Sequence, residues 1–288
     1  MPNSNRMADN LFVNVNGSVL SSANAVLSAD NRSFRYGDGI FETIRFANGK
    51  VQFLDRHVSR LQRSLDVIKI DVPENYDEKF FRAEIGKLVE ANKVEKGARI
   101  RLTIFRKEGG YYTPHIDEPS FMIECQPIDE SFYNLNPKGY NIDIYPDYKK
   151  SINKLSNVKS NNALMNVLAG VYRKQNDLDD CVILNQNFGI AECISSNIFA
   201  VKNGVLYTPP IMDGCVDGIM RRHIIEVARA NRISVYEVSL QMNVLLNSDE
   251  IFLTNVISGV RWVGAYKAKR FYNNMAKLII DKLNESLD

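Results

Sequence analysis

The chain has 288 residues, 45% hydrophobic and 24% charged, with 36 Lys and Arg against 34 Asp and Glu for a net charge of +2. That length favours two domains over one core. The interspersed, nearly balanced charge leaves no electrostatic footprint for nucleic acid, and no run is long and apolar enough to span a membrane.

The start, MPNSNRMADN, lacks the apolar core of a secretory signal, so a cytoplasmic protein is expected. Next, NLFVNVNGSVL predicts a hairpin turning at Asn-Gly, and FETIRFANGKVQFL predicts a second one turning at Asn48-Gly49. His57, Leu61 and Leu65 fall at i, i+4 and i+8, with Val58 alongside, which predicts a helix from near Asp55. KFFRAEIGKLVEANKV predicts an amphipathic helix closed by Gly97, and RIRLTIF and SFMIECQPI predict strands around the polar loop RKEGGYYTPHIDEP. The polar, aperiodic stretch PIDESFYNLNPKGY marks the domain boundary. It leaves a smaller N-terminal α/β domain (1–126), a linker (127–139) and a larger, strand-rich C-terminal domain (140–288). In the latter, NIDIYP and DDCVILNQNFGIAECISSNIFAVKNGVLYTPP predict strands, and DGIMRRHIIEVARAN predicts a helix with Asp217 at its entrance. ISVYEVSL, a short helix near MNVLLNS, the strand EIFLTNV and a C-terminal amphipathic helix complete an α+β pattern.

Cys125, Cys181, Cys193 and Cys215 form no CxxC pair and lie in apolar runs, which reads as buried reduced thiols. With only His57, His115 and His223 available, no metal site is expected.

The chemical interest centres on NVKSNNALMNVLA. Lys159 precedes a small polar run and then an apolar helical pattern; it is either ordinary surface or a lysine whose burial makes it a nucleophile toward a carbonyl. Leu164, Val167 and Leu168 are expected to fix this helix against the domain core. Glu192, between Ala191 and Cys193, is either a strand-end glutamate facing water or a buried carboxylate with a partner. In CVDGIMRR, Gly218 and Ile219 open a helix whose free N–H groups suit an anion, or simply make a turn. Arg60 coats a helix or adds a cation. Thr254 and Asn255 precede Ser258-Gly259 in a possible anion nest. Arg101 alternates with Ile100 and Leu102, so it faces water or reaches into a cleft to hold a carboxylate. Tyr111 and Tyr112 sit on a flexible Gly-Gly loop suited to an active-site rim, or on a plain surface hairpin.

In this order the motifs YGDGIFETIRF, HVSRL, NVKSNNALMNVLA, GIAECISSNIFAVKNGVLYTPP, GCVDGIMRRHIIEVA and EIFLTNVISGVRWV resemble the fold-type IV pyridoxal-phosphate enzymes over nearly the whole chain. That family includes branched-chain and D-amino acid aminotransferases and aminodeoxychorismate lyases. The resemblance implies a two-domain α+β fold, pyridoxal 5'-phosphate as cofactor, a small-molecule amino acid or 2-oxo acid substrate, and a homodimer with no nucleic-acid or membrane partner. It implies that Lys159 forms the Schiff base and shuttles the proton, and that Glu192 pairs with the pyridine nitrogen. Arg60, Gly218, Ile219 and the loop Thr254, Asn255, Val256 and Ile257 correspond to the phosphate contacts. Ser196 and Asn197 correspond to the ring lining, and Phe41, followed by Glu42, to an aromatic–acidic pair near the cofactor. Arg101 corresponds to a carboxylate-holding arginine, with Tyr111 and Tyr112 on the substrate side.

Two departures stand out. Val256 replaces a hydroxyl residue of several relatives, and RKEGGYYTPH lacks the Arg-x-His element of D-amino acid aminotransferases, whose tyrosine is here Phe41. The implied activity is transamination between an amino acid and a 2-oxo acid. The alternative is conversion of 4-amino-4-deoxychorismate to 4-aminobenzoate and pyruvate, followed by a non-catalytic relative binding the cofactor or a phosphate.

Overall fold

In a computed structural model the structure describes residues 11–287, so the MPNSNRMADN start and Asp288 lie outside the described residues. The chain divides into two compact units. One runs through Ser131 and takes in Val158–Asn162, and the other comprises Phe132–Asn157 and Ala163 onward.

The first unit begins with the hairpin β1 (Phe12–Val15) and β2 (Ser18–Ser21), then α1 (Arg32–Tyr36), β3 (Gly39–Ala47) and β4 (Lys50–Val51). It continues with α2 (Leu54–Val67), α3 (Glu78–Ala91), β5 (Gly97–Arg106) and β6 (Pro119–Ile128). Six antiparallel strands pair in the order β2-β1-β6-β5-β3-β4. Asn48 and Gly49 turn the β3–β4 hairpin at φ 52 and 72, the left-handed pair that matches strand twist. The buried faces of α2 and α3, with Leu61, Leu65, Phe81, Ile85 and Leu88, meet Ile44, Ile100 and Ile123 of the sheet in one core. Burying such side chains stabilises by roughly 1.5–3 kcal/mol each. Two expectations are corrected here. α1 was not anticipated; it exists because Asn31 caps it, its side chain accepting from Phe34 N–H at 2.9 Å. Gly97 opens β5 rather than closing α3, which ends at Ala91 with Asn92 as its cap; the Asn92 N–H and side-chain amide both donate to Leu88 O.

The second unit holds β7 (Tyr140–Ile144), α4 (Leu164–Gln175), β8 (Asp180–Leu184), β9 (Gly189–Cys193), β10 (Asn197–Lys202) and β11 (Val205–Thr208). Then come α5 (Ile219–Ala230), β12 (Val235–Glu237), β13 (Leu240–Gln241), α6 (Val244–Asn247), β14 (Glu250–Asn255), β15 (Gly259–Tyr266), β16 (Lys269–Arg270) and α7 (Asn274–Glu285). Nine strands run β12-β11-β10-β14-β15-β7-β8-β9-β13, with β16 added to β15. β15, β7 and β8 pair in parallel, and every residue of β8 and β9 is buried, as expected for strands covered on both faces. All four cysteines are buried free thiols. No helix among the described residues is long and apolar enough to cross a membrane.

The helix after Lys159 departs from expectation. Leu164 and Val167 are 64% and 59% exposed, and it is Ala169, with Met165, Leu168 and Tyr172, that packs against Tyr145, Cys181 and Ile183. The apolar stripe is wide, and only its Ala169 side meets β8. Asp217 does not cap α5 either. Gly218 holds the cap position, and both Asp217 carboxylate oxygens pair with Arg222.

Candidate active site

In the first unit, the Lys159 segment lies along β3. Phe41 N–H donates to Lys159 O and Asn161 N–H to Gly39 O, both at 2.9 Å, with Ile40 opposite Ser160. Backbone pairing to β3, rather than the apolar face of α4, therefore fixes the lysine. Gly39 permits the approach: a Cβ there would stand 2.6 Å from Ile104 O and 2.7 Å from Asn161 Nδ2. Phe41 lies opposite Lys159 and diagonal to Arg101 in the β3–β5 register, so all three project from one face. Lys159 Nζ is 4.2 Å from the Phe41 ring centroid and Arg101 Cζ is 3.7 Å from it. An amine and a guanidinium thus share one aromatic platform. Burial pushes the Arg101 guanidinium below its usual pKa, opposed by Glu124, whose carboxylate is 3.7 Å away.

Strand alternation sends Glu42, next to Phe41, to the opposite, buried face. Its carboxylate accepts from His57 Nδ1 at 2.7 Å and from Arg60 Nε at 2.8 Å, and also binds Arg60 Nη2. Arg60, expected at the phosphate, is therefore oriented by Glu42. Burial by itself would raise the Glu42 pKa, but the Arg60 charge and the His57 contact override it and hold the carboxyl at about 2, against 4.5 ordinarily. Burial pushes the His57 imidazole down, so it is neutral at pH 7 and carries its proton on Nδ1. Because the folded pKa is depressed, the stability this carboxylate contributes is complete above the unfolded value. It is lost as pH falls from about 4.5 toward 2. The loss is expected to be on the order of 3 kcal/mol, and Glu42→Gln is expected to flatten that limb of the urea-midpoint profile.

Tyr111 and Tyr112 stand on the loop between β5 and β6, 79% and 91% exposed.

In the second unit, Glu192 is 4% exposed on β9, so the water-facing alternative is excluded. Lys150 Nζ donates to its Oε1 at 2.5 Å and Val216 N–H to its Oε2 at 2.7 Å. Lys150 is itself pinned to the end of β8, donating its N–H to Leu184 O and accepting from Gln186 N–H. Its role carried no signal in the sequence. Lys149-Lys150 reads as surface charge until strand pairing delivers the ammonium to a buried carboxylate.

Gly218 at the α5 cap supplies no side chain, so the first helical N–H groups lack a side-chain cap. Beside it, Asn197 donates Nδ2 to Val216 O at 2.9 Å and pairs across the strands with Thr254. Thr254 Oγ1 is buried and has no hydrogen-bond partner among the described residues. Asn255 Nδ2 donates to Ser196 Oγ at 3.0 Å, while its Oδ1 accepts from Ile257 N–H and Ser258 N–H. The Ile257 amide is thus already held within its own loop. An uncapped helix start and an orphaned hydroxyl, on either side of Asn197, fit an oxyanion such as a phosphate. A Cβ at Gly218 would stand 1.9 Å from Asn197 Oδ1. Gly218→Ala is therefore expected to weaken binding of a phosphorylated cofactor about tenfold or more, the equivalent of one charged hydrogen bond, in an equilibrium titration.

A family model, amino-transferase class IV, matches residues 39–266. The chain is similar to the aminodeoxychorismate lyase of Bacillus subtilis (strain 168), 29% identical over 249 residues that cover 85% of this chain and 83% of the relative. It is 31% identical over 250 residues to the D-alanine aminotransferase of Staphylococcus aureus (strain N315), covering 85% and 86% of the two chains. Its fold is that of the branched-chain aminotransferase of Thermoproteus uzoniensis solved with norvaline, with a TM-score of 0.86 at 24% identity over 94% of this chain and 92% of the other. A match that runs unbroken through the Lys159 segment and the Glu192 strand settles the relationship: the chain belongs to the class IV aminotransferase family.

Proposed function

We propose that the chain transfers an amino group between an amino acid and a 2-oxo acid, with Lys159 as the catalytic amine and Glu192 as the carboxylate for the cofactor ring. Class IV aminotransferases are pyridoxal-phosphate enzymes, and this chain is one of them. When bound, pyridoxal phosphate supplies an aldehyde that takes up amines and a ring that withdraws electrons from the carbon being deprotonated. Lys159 Nζ would hold the cofactor and, once freed by the substrate amine, would carry the proton between the substrate Cα and the cofactor carbon C4′. Glu192, fixed by Lys150 and Val216, would accept a hydrogen bond from the protonated ring nitrogen and so keep it protonated. Gly218, Ile219 and Thr254–Ile257 serve the phosphate, with Arg60 as a cation whose direction Glu42 sets, and Ser196 and Asn197 line the ring. Arg101 takes the substrate carboxylate, with Tyr111 and Tyr112 at the rim.

The observation that supports the reading is the shared platform of Phe41: the Arg101 guanidinium and the Lys159 amine both lie over one ring, as the proposed carboxylate contact and proton transfer require. The lyase reading keeps its support in the similarity to the Bacillus lyase, because both reactions use the same lysine and glutamate. Incubation of the purified protein with amino donors and 2-oxo acid acceptors, and separately with 4-amino-4-deoxychorismate, decides between them. Amino transfer that requires an acceptor is expected. Pyruvate released from aminodeoxychorismate without any acceptor would replace transamination by the lyase.

A homodimer is part of the proposal, supported by Phe34 and Val26 of the first unit, 82% and 85% exposed in one chain. Light scattering at twice the chain mass is the expected result. Four free thiols fit a reducing, cytoplasmic setting.

A further inference from the structure

We propose that Arg32 is a positioning residue that clamps the loop of Gly109, Gly110 and Tyr111, so that Tyr111 and Tyr112 form a preset rim instead of a flexible lid. The inference rests on the proposed function only in taking this rim to meet the substrate.

Arg32 is the first residue of α1 and is 3% exposed. Its Nη1 donates to three successive carbonyls, Gly109 O at 3.0 Å, Gly110 O at 3.3 Å and Tyr111 O at 2.6 Å. Two hydrogens serve three acceptors, so the longest contact is the shared, weak one. Its Nε donates to Asp38 Oδ2 at 2.9 Å. The same oxygen accepts from Arg106 Nε at 3.0 Å, and Arg106 donates onward to Ile68 O and Lys69 O, both at 2.7 Å, and pairs with Asp117. One half-buried carboxylate thus couples two guanidiniums and ties the α2 exit and both sides of the β5–β6 loop to the start of α1.

The loop backbone is shaped for this grip. Gly109 and Gly110 have φ of 124 and 74, in the region that favours glycine. A Cβ on Gly110 would stand 2.1 Å from Thr113 O, and Gly110 bridges to Pro114. With three carbonyls turned toward Arg32, the tyrosine side chains point outward. Tyr112 rests 5.5 Å, ring to ring, from Tyr36, over which the Arg32 guanidinium itself lies at 5.1 Å. The Gly-Gly pair that suggests mobility in the sequence instead provides the conformation that the clamp needs. A lysine cannot replace this arginine. Its compact ammonium cannot reach Asp38 and the loop carbonyls at once, as the planar fork does.

The test uses the cofactor-loaded enzyme and Arg32→Lys. Chymotryptic cleavage after Tyr111 and Tyr112 is expected to rise about tenfold or more, because cleavage tracks the population of the opened loop. KM for the amino donor is expected to rise about tenfold, with kcat within about threefold and the absorbance of lysine-bound cofactor unchanged. A merely structural role would lower stability without this split. A folded Arg32→Lys enzyme with wild-type cleavage and wild-type KM would overturn the clamp. If Arg32→Lys does not fold, Gly110→Ala moves the same carbonyls and leaves the Asp38 pairing intact; a still-protected loop with unchanged KM there overturns it equally. If the wild-type enzyme turns over neither substrate class, the proposed function fails, while the cleavage result still decides the clamp.

Discussion

Replacing Lys159 with alanine is expected to abolish turnover while leaving the fold in place. Proton transfer by a positioned side chain is worth about 10²–10⁴-fold, and the covalent hold on the cofactor is lost with it, so a fall of roughly 10⁴-fold or more is expected. Stability should barely change. The segment is held by its backbone, through Phe41 N–H to Lys159 O and Asn161 N–H to Gly39 O, and alanine keeps both bonds. The side chain's contact with Phe41 is worth about 0.5–2 kcal/mol, so the melting temperature is expected within a few degrees of wild type. Spectra should show cofactor bound without its lysine-linked absorbance. Turnover retained in Lys159→Ala would remove the basis of the proposed mechanism.

Glu192→Gln is expected to lower kcat by roughly 10²–10³-fold, the scale of losing one preorganised electrostatic partner in a water-poor site, with the cofactor still bound. The amide cannot complement a protonated ring nitrogen, and it turns an N–H donor toward Lys150 or Val216, both of which are donors. Lys150→Met is expected to act in the same direction. Removing one partner of a buried ion pair costs about 3–5 kcal/mol, so this variant should also melt lower. The pair of variants separates two roles. Normal kcat in Glu192→Gln would exclude Glu192 as the ring partner, whereas normal kcat in a destabilised Lys150→Met would make Lys150 structural only. Steady-state kinetics alongside thermal melts read both outcomes.

The legible parts of the site were those written in local chemistry. Gly218 followed by the helix periodicity of Ile219, Ile224, Val227 and Ala228 announced a helix start, and α5 begins at Ile219, although Asp217 does not cap it. The Asn-Gly turns and the alternation of β3 and β5 placed their strands. Arg101 and Glu192 were each left open between water and a buried role, because alternation gives a face and not what the face meets. Lys150, the Asp38 link to Arg106 and the Glu42 grip on Arg60 were invisible, since each joins residues on separate elements: Lys150 to Glu192, Arg106 to Asp38, His57 and Arg60 to Glu42. Leu164 and Val167 misled for a related reason. A helical apolar stripe shows that something covers a face without saying how wide the cover is, and β8 covers only the Ala169 side.

The sequence by itself determined most element types and the family, and it singled out Lys159 as the candidate amine, because propensity, periodicity and motif order act over a few residues at a time. Only the tertiary structure decided what holds those residues. Lys159 is fixed by backbone pairing to β3, Glu192 by an ammonium from a segment bridged to the end of β8, and the Gly109–Tyr111 loop by a guanidinium from α1. These are register and packing outcomes. A one-residue slip of a strand would send Phe41 to the core and Glu42 to the lysine.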